Sequence, residues 1–340
     1  MLYPKDIVEF VHNDKTLSSE FGAIVLGHSL HITQNTHSPN DPAFIRWMFE
    51  EGYRKSAAVK RYLFFLSLMS FLFHEIHRLY EQVNPESKDE TDRSAIATSP
   101  AEMLYIARYL YYLDSYGIQG DVLECGCFRG FSSCCLSWAC HFLGKRLIVA
   151  DSFQGLPDVE HPLYRRGHFK GAFEAVRGNI ATLGRIDSAD FIQGWFHESL
   201  AGFDHPLCLI WVDVDLYQSV LDVLNHAYPK LCAGGVIFSH EIKREDIKGY
   251  KIQMDVYEKS VAKAFHNFFH ARHINYLAQF LTGWLALIVP DTEDMKEDMK
   301  VLLSPTQHDM LTQRNFLRGE SPLTLFKQLK SDLLLRFRGR

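Results

Sequence analysis

The sequence predicts an α/β fold in which helices cover both faces of a mostly parallel β-sheet. Between Ser99 and about Pro290, short apolar runs typical of strands alternate with longer segments of helical periodicity. Near the end of this region two β-rich runs are joined across Thr282-Gly283, a turn-like dipeptide that predicts a closing antiparallel hairpin. In such folds ligands bind beyond the carboxyl ends of the strands, so we expect functional residues there.

The first helix of this region has a clear start signal. Ser99 is a good N-cap, Pro100 fits the first turn, and Glu102 can complete a capping box. The helix is predicted to run to about Tyr116, with Gly117 as its stop.

The same patterns place the remaining elements. Predicted strands lie at about Val122–Cys125, Leu147–Ala150, around Phe191, Cys208–Val212, Val236–Phe238, Tyr276–Phe280 and Trp284–Val289. Predicted helices lie at about Ser132–Phe142, Phe169–Thr182, Ser219–Leu231 and Tyr257–Phe269.

Three regions are expected: a helical N-terminal extension at 1–95, the α/β domain at 96–290 and a helical C-terminal extension at 291–340. The most apolar stretch, Tyr62–Phe73, is too short to span a bilayer and is interpreted as a buried helix. With no transmembrane segment and no signal peptide expected, the predicted location is the cytoplasm.

Composition excludes several broad classes. The chain is 47% hydrophobic and 23% charged, as in ordinary globular proteins. A net charge of −5 gives no general attraction to nucleic acid or anionic membranes. The 13% aromatic content is typical of large buried surfaces or of a contact between copies, for which a homodimer is the candidate arrangement. Five of the seven cysteines lie between Cys125 and Cys140 without a C-x-x-C pair, which indicates small buried residues in a reducing compartment.

Polar residues follow the first two predicted strands. Glu124 precedes a turn with glycines at Gly126 and Gly130, where a backbone could approach a ligand at a helix N-terminus. The spacing is G-x-x-x-G, unlike the G-x-G-x-x-G of dinucleotide binders, and an ordinary turn is the alternative. Asp151 ends the second strand, where a carboxylate can accept both ribose hydroxyls or simply cap the next helix.

Two further strands end in acids. Asp213 and Asp215 project from the same side if the strand stays extended, although they could also cap the following helix. The next strand along the chain ends at His240-Glu241. Together Asp213, His240 and Glu241 form a candidate ligand set for a divalent cation, which would leave Asp215 free as a base.

These residues occur in ordered blocks that resemble the macrocin O-methyltransferase-like (TylF-type) family, enzymes that methylate sugar hydroxyls of antibiotics. The resemblance covers about residues 96–290. Its blocks are Thr98-Ser99-Pro100, Gly120–Gly126 with Arg129-Gly130, Asp151–Pro157, Gly194-Trp195-Phe196 with Ser199-Leu200, Asp213–Ser219, Tyr228–Leu231 and Gly234-Gly235.

The resemblance implies a Rossmann-like class I fold with a seven-stranded, mostly parallel sheet and an antiparallel last strand. It implies S-adenosylmethionine as methyl donor and often magnesium, with Asp213 as a metal ligand and Asp215 as the base. His240 and Glu241 stand where the family usually has two aspartates, and imidazole suits zinc, iron or manganese better than magnesium. The residues expected to bind the cofactor are Glu124, Gly126, Cys127, Phe128, Arg129, Asp151, Ser152, Gln193, Gly194 and Asp213.

The predicted function is therefore a metal-assisted O-methyltransferase that acts on a hydroxyl of a glycan or glycosylated natural product. A catechol acceptor is a second enzymatic alternative, because two adjacent hydroxyls bind a cation well. A non-catalytic scaffold that binds the cofactor or a partner is the alternative from another class. The presence of both Asp213 and Asp215 favours an enzyme, since a binder has no evident need for both.

Overall fold

The structure, a computed structural model, describes residues 57–84, 96–159, 161, 164–242, 247–248, 251–252, 260–281 and 284–290. The chain divides into two compact units, Met1–Glu75 with Val301–Arg340, and Ile76–Lys300. All strands described below lie in the second unit. The α-helices are α1 (Ala57–Val83), α2 (Pro100–Ser115), α3 (Phe131–Phe142), α4 (Phe173–Leu183), α5 (Phe196–Ser199), α6 (Tyr217–Ala227) and α7 (Val261–His270). The strands are β1 (Asp121–Cys125), β2 (Leu147–Asp151), β3 (Ala189–Gln193), β4 (Leu207–Val212), β5 (Leu231–Ser239), β6 (Ile247–Lys248), β7 (Lys251–Ile252), β8 (Tyr276–Phe280) and β9 (Ala286–Pro290).

Seven strands form one sheet in the order β3-β2-β1-β4-β5-β9-β8. The pairs β3-β2, β2-β1, β1-β4 and β4-β5 are parallel. Strand β9 is antiparallel to both of its neighbours, β5 and β8, so the last strand in the chain runs against the others. The predicted fold class, a mostly parallel Rossmann-like sheet closed by an antiparallel last strand, is confirmed. Strands β6 and β7 form a separate small hairpin that the sequence analysis did not predict.

The centre of the sheet is apolar on both faces because helices cover both. All six residues of β4 are buried, as expected for a parallel strand between two helical layers. One face packs against α6 and α7. The side chains that these helices bury include Val220, Val223, Leu224, Phe265, Phe268 and Phe269.

Helix α2 begins as the sequence predicts. Ser99 Oγ accepts a hydrogen bond from the Glu102 backbone N–H at 3.2 Å, and Glu102 Oε2 accepts one from the Ser99 N–H at 2.9 Å. This capping box satisfies two donors that a helix start would otherwise leave unpaired. It also fixes the Glu102 carboxyl group close to the carboxyl end of β5, which matters for the site described below.

Two predicted helix boundaries were wrong, each for a local reason. The helix expected over Ser219–Leu231 ends at Ala227, because Pro229 lies in a 3-10 turn and Leu231 already starts β5. The helix expected from Phe169 begins at Phe173, since Phe169 has φ of 56°, a left-handed conformation. The predicted helix start at Tyr257 is not tested; in the described residues α7 begins at Val261 after the N-cap Ser260. Residues 253–259 lie outside the described part of the chain.

The apolar stretch Tyr62–Phe73 lies within α1, and Leu68, Met69 and Leu72 are buried there, as predicted. Among the helices that the structure describes, none combines the length and the apolarity needed to cross a membrane. Residues 1–56 and 291–340 fall outside the description, so the two helical extensions and the 96–290 domain boundary stay predictions. The seven cysteines are free thiols, and six are buried, in line with the structural interpretation.

The ends of β1 and β4 touch at Gly126. The Asp213 N–H donates to the Cys125 carbonyl at 2.9 Å, which continues the parallel hydrogen-bond pattern past both strands. Gly126 has φ of +84°, and a Cβ added there would lie 1.9 Å from the Asp213 carbonyl oxygen. Only glycine therefore lets the β1 turn lie against the residue that ends β4.

We predict that Gly126→Ala lowers the free energy of unfolding by at least about 3 kcal/mol, because it combines left-handed strain with a backbone clash. Gly117→Ala is the matched control: Gly117 has φ of +73°, but a Cβ there meets nothing within 4 Å. That control should cost about 1–2 kcal/mol from backbone conformation alone. Chemical denaturation measures both values, and equal losses would contradict the proposed contact.

Candidate functional site

A cleft lies beyond the carboxyl ends of β1, β2, β4 and β5. It encloses about 740 Å³ when the space open to solvent is included. Eight residues expected from the sequence to act in the site line it: Gly126, Phe128, Asp151, Ser152, Asp213, Asp215, His240 and Glu241. Several other residues that line the cleft have no role predicted from the sequence: Ala97, Leu156, Phe169, Trp195, Phe196 and Ser219.

The loops around the cleft hold non-glycine residues in left-handed conformations. Phe128, Phe153, Asp215 and Glu241 have φ of 49°, 55°, 60° and 61°. Each follows a different parallel strand. Such conformations cost free energy and persist where surrounding structure enforces them, often at functional sites.

Asp151 is fixed at the end of β2 by backbone donors. Its Oδ2 accepts from the Cys127 N–H at 2.8 Å, and its Oδ1 accepts from the Phe153 N–H at 2.7 Å. Burial raises the pKa of Asp151, and these backbone hydrogen bonds oppose the rise. The Cys127 side chain and the Phe128 backbone also hydrogen-bond to the Asp151 carboxylate, and the residue lines the cleft.

Glu124 lies behind the β1 turn and is not among the residues that line the cleft. Its side chain is fully buried, and both Ser132 Oγ and Ser133 Oγ, in the first turn of α3, donate to it. Burial raises its pKa to about 7, against the lowering effect of the two serines. The carboxyl group thus ties β1 to the start of α3.

The other residues expected to bind a cofactor mainly shape the loops. The Cys127 side chain is buried, and Arg129 lies with its guanidinium carbon 5.1 Å from the Phe128 ring centre. Ser152 Oγ donates to the Gly155 carbonyl at 3.0 Å. Gln193 is the β3 partner of Asp151, and the Gly194 N–H donates to the Asp151 carbonyl at 3.0 Å.

Asp215 faces the cleft just past the end of β4. Burial raises its pKa well above the ordinary value, and the nearby carboxylates of Asp213 and Glu241 raise it further. A hydrogen bond from the Tyr164 hydroxyl opposes that rise. The same hydroxyl lies 3.5 Å from Glu241 Oε2. Tyr164 was missed in the sequence analysis because no strand-end pattern marks it.

Aromatic side chains form one wall of this region. The Tyr164 ring stacks on His161 at 4.6 Å between centres and meets Phe169 edge-on at 5.8 Å. Phe169 in turn meets Phe128 at 5.9 Å. These ring contacts connect His161, Tyr164 and Phe169 to the β1 turn.

His240 directly follows β5 and lies among three carboxyl groups. Its Nδ1 lies 3.5 Å from Asp213 Oδ1 and 3.3 Å from Glu241 Oε1, and its Nε2 lies 3.8 Å from Glu102 Oε1. Burial alone would lower the pKa of His240, but the carboxylate of Asp213, with Glu102 and Glu241, raises it to about 11. Burial raises the pKa of Asp213 to about 6, and His240 opposes that rise.

The predicted metal site does not fit this arrangement. Both ring nitrogens of His240 face carboxylates, so neither presents a lone pair toward a cation shared with Asp213 and Glu241. Within the described part of the chain, no group of three His, Cys, Asp or Glu residues has the geometry to hold a metal ion. The expected ligand set Asp213, His240 and Glu241 is instead a cluster of charged side chains in mutual contact.

A sequence model of the macrocin O-methyltransferase (TylF) family matches residues 103–275, just over half of the chain. The chain belongs to this family. The match covers most of α2, strands β1 to β5 and every cleft residue except Ala97, so the expected family resemblance is confirmed.

Two characterised relatives carry O-methyltransferase names. A tetracenomycin 4'-O-methyltransferase of Streptomyces olivaceus, which acts on a dimethoxy-rhamnosyl compound, is 35% identical over 136 residues, 36% of this chain and 52% of that protein. The mycinamicin III 3''-O-methyltransferase of Micromonospora griseorubida is 35% identical over 138 residues, 35% of this chain and 54% of that protein. The chain thus spans about half the length of these relatives. A solved structure of the O-methyltransferase NovP has a TM-score of 0.50 at 22% identity, covering 66% of this chain and 98% of its own, which shows a shared fold.

Burial of Glu124 predicts a specific pH dependence of stability. Its pKa of about 7 in the folded chain exceeds the ordinary 4.5, so the neutral acid favours folding. That contribution is complete below about pH 4.5 and is lost as pH rises through about 7, a change of roughly 3 kcal/mol. Glu124→Gln removes it, while any cost of the lost hydrogen bonds does not change with pH.

The measurement is the free energy of unfolding of both proteins by urea at pH 5 and pH 8. The stability of the parent relative to Glu124→Gln should fall by roughly 3 kcal/mol across this range. Glu174→Gln, at an exposed position in the first turn of α4, is the control and should show little change. A pH-independent difference for Glu124→Gln would contradict the buried-acid assignment.

Proposed function

We propose that this protein is an S-adenosylmethionine-dependent O-methyltransferase that acts on a sugar hydroxyl. One observation carries the proposal: Asp151 and Asp215, at the ends of β2 and β4, face the same cleft of a macrocin O-methyltransferase-family fold. The first carboxylate is suited to hold a nucleoside, and the second is suited to take a proton.

The nucleoside would bind on the β1–β2 side of the cleft. Asp151 is held by backbone donors and lines the cleft at the end of β2, the place where an acid accepts ribose hydroxyls in nucleoside-binding α/β folds. Gly126 lines this side of the cleft, so the backbone of the turn before α3 is within reach of a bound nucleoside. When bound, S-adenosylmethionine supplies an electrophilic methyl group. We assign Asp151, Gly126 and Phe128 to direct contact, and Glu124, Cys127, Arg129, Ser152, Gln193 and Gly194 to shaping the loops that make it.

Asp215 is the proposed general base. A sugar hydroxyl is a poor nucleophile. Removal of its proton during the attack makes the oxygen nucleophilic enough to accept the methyl group. Burial and the neighbouring carboxylates raise the pKa of Asp215, which makes its ionised form a stronger base than an exposed aspartate. The Tyr164 hydroxyl would orient the carboxylate, because the two groups form a hydrogen bond.

The acceptor is proposed to be a glycosylated natural product or related glycan. The names of two relatives support this choice, since one acts on a rhamnosyl tetracenomycin and the other is a mycinamicin 3''-O-methyltransferase. The aromatic wall of Phe128, Phe169 and Tyr164 offers apolar ring surface beside the base. No step is assigned to a divalent cation, because the donor set does not fit one. The cytoplasmic location, a homodimer and the absence of a nucleic-acid partner stay predictions.

The test combines an acceptor screen with an Asp215→Asn variant. The parent protein is incubated with methyl-labelled S-adenosylmethionine and a panel of rhamnosides and other glycosides, and label transfer is counted. On an acceptor that works, Asp215→Asn should lower kcat by about 10²–10⁴-fold, because it removes a positioned base. Binding of S-adenosylhomocysteine should persist in the variant.

Asp190→Asn is the matched control for this experiment. Asp190 lies on β3 with its side chain 57% exposed and pairs with Arg146, so the same substitution should leave turnover within about twofold. Full activity of Asp215→Asn would remove the base assignment. Failure of the parent to bind the nucleoside at all would remove the proposed function.

A further inference from the structure

His240 lies where two carboxylates converge. Asp213 Oδ1 and Glu241 Oε1 both approach its Nδ1, at 3.5 Å and 3.3 Å. Two acidic side chains directed at one point are the usual setting for a bound cation. Here that point is taken by a nitrogen of the protein itself.

The ring is held in place from several sides. Its Nε2 faces Glu102 Oε1 at 3.8 Å, and the other oxygen of Glu102 accepts from the Ser99 N–H and Ser99 Oγ, both at 2.9 Å. The Trp211 ring meets it edge-on at 6.0 Å between centres. The backbone N–H of His240 also donates to the Val212 carbonyl at 3.0 Å, which fixes the backbone of this residue. The helix cap of α2 and the edge of β4 thus restrain the imidazole.

Rotation of the ring out of the cluster would be costly. It would leave Asp213 and Glu241 facing each other without the nitrogen between them, and it would separate Glu102 from its partner. The His240 side chain is only 7% exposed, so solvent cannot replace these contacts.

We propose that His240 is a positioning residue that fills the place of a divalent cation, holding Asp213 and Glu241 so that the site works without a bound metal. The part of this inference that concerns activity without a metal rests on the proposed function. The part that concerns metal binding rests on the geometry of His240, Asp213, Glu241 and Glu102 alone. It differs from the sequence-based expectation, in which His240 would be a ligand of that metal.

Replacing the imidazole should create the site that it blocks. His240→Asp removes the ring and adds a third carboxylate to Asp213 and Glu241, a set of oxygen donors that suits magnesium and manganese. The probe is Mn²⁺ alone, followed by the loss of its free-ion electron paramagnetic resonance signal. The parent should take up no Mn²⁺ that depends on Asp213. His240→Asp should bind about one Mn²⁺ per chain, at least ~10-fold more tightly than any Mn²⁺ binding that the parent shows.

Two further variants make the result specific. His240→Asp combined with Asp213→Asn should lose the gained site. His205→Asp makes the same substitution at an exposed position before β4, away from the cluster, and should bind no more Mn²⁺ than the parent. Titration with S-adenosylhomocysteine checks that each variant is folded. Its failure in the parent would argue against the proposed function and leave the metal result to decide this inference.

The inference is overturned if the parent binds one Mn²⁺ that Asp213→Asn abolishes. It is equally overturned if folded His240→Asp binds no more Mn²⁺ than the parent. Should His240→Asp fail to fold, His240→Asn gives a neutral replacement with one oxygen donor, and the same two outcomes apply to it.

Discussion

Crowding of acidic side chains at one edge of the sheet is the constraint that the rest of the site depends on. Six carboxyl groups lie at or near the carboxyl ends of β1, β2, β4 and β5: Glu102, Glu124, Asp151, Asp213, Asp215 and Glu241. Like charges at this spacing destabilise one another, and burial adds a desolvation cost. Each group therefore has its own compensation. Serine hydroxyls donate hydrogen bonds to Glu124, and backbone N–H groups donate to Asp151. The Tyr164 hydroxyl donates to Asp215. His240 offsets the charges of Glu102, Asp213 and Glu241.

The backbone makes these compensations possible because the parallel hydrogen-bond pattern continues past the strand ends. Three backbone hydrogen bonds join neighbouring loops. The Gly126 N–H donates to the Ala150 carbonyl at 3.0 Å, the Asp213 N–H to the Cys125 carbonyl at 2.9 Å, and the His240 N–H to the Val212 carbonyl at 3.0 Å. The left-handed residues Asp215 and Glu241 then turn the chain immediately after these bonds. A rigid edge of this kind keeps the side chains in place before any ligand binds, which is the condition that efficient binding and catalysis require.

Much of this edge of the sheet could be predicted because it depends on patterns of residues that are close together in the sequence. The apolar run of β4 followed by Asp213 and Asp215 identifies a buried strand and its end, and the Ser99 capping box identifies a helix start. The contacts of His240 could not be predicted in the same way. Glu102 comes from a helix before the sheet, and a sequence cannot reveal that its carboxyl group faces the imidazole. From the strand-end pattern alone, Asp213, His240 and Glu241 therefore predict a metal site. Tyr164 and the start of α4 were missed because both depend on the fold of residues 164–169, where Phe169 adopts a left-handed conformation.

The most direct test of the account is a calorimetric titration of S-adenosylhomocysteine into the parent protein and an Asp151→Asn variant. The account predicts saturable binding to the parent and binding at least ~10-fold weaker in Asp151→Asn, a loss of about 1.4 kcal/mol or more, because the amide cannot accept both ribose hydroxyls. Asp204→Asn, on a fully exposed side chain before β4 at the opposite edge of the sheet, should bind like the parent. Equal binding by parent and Asp151→Asn, or none by either, would contradict the claim that the acidic edge of the sheet is a nucleoside site.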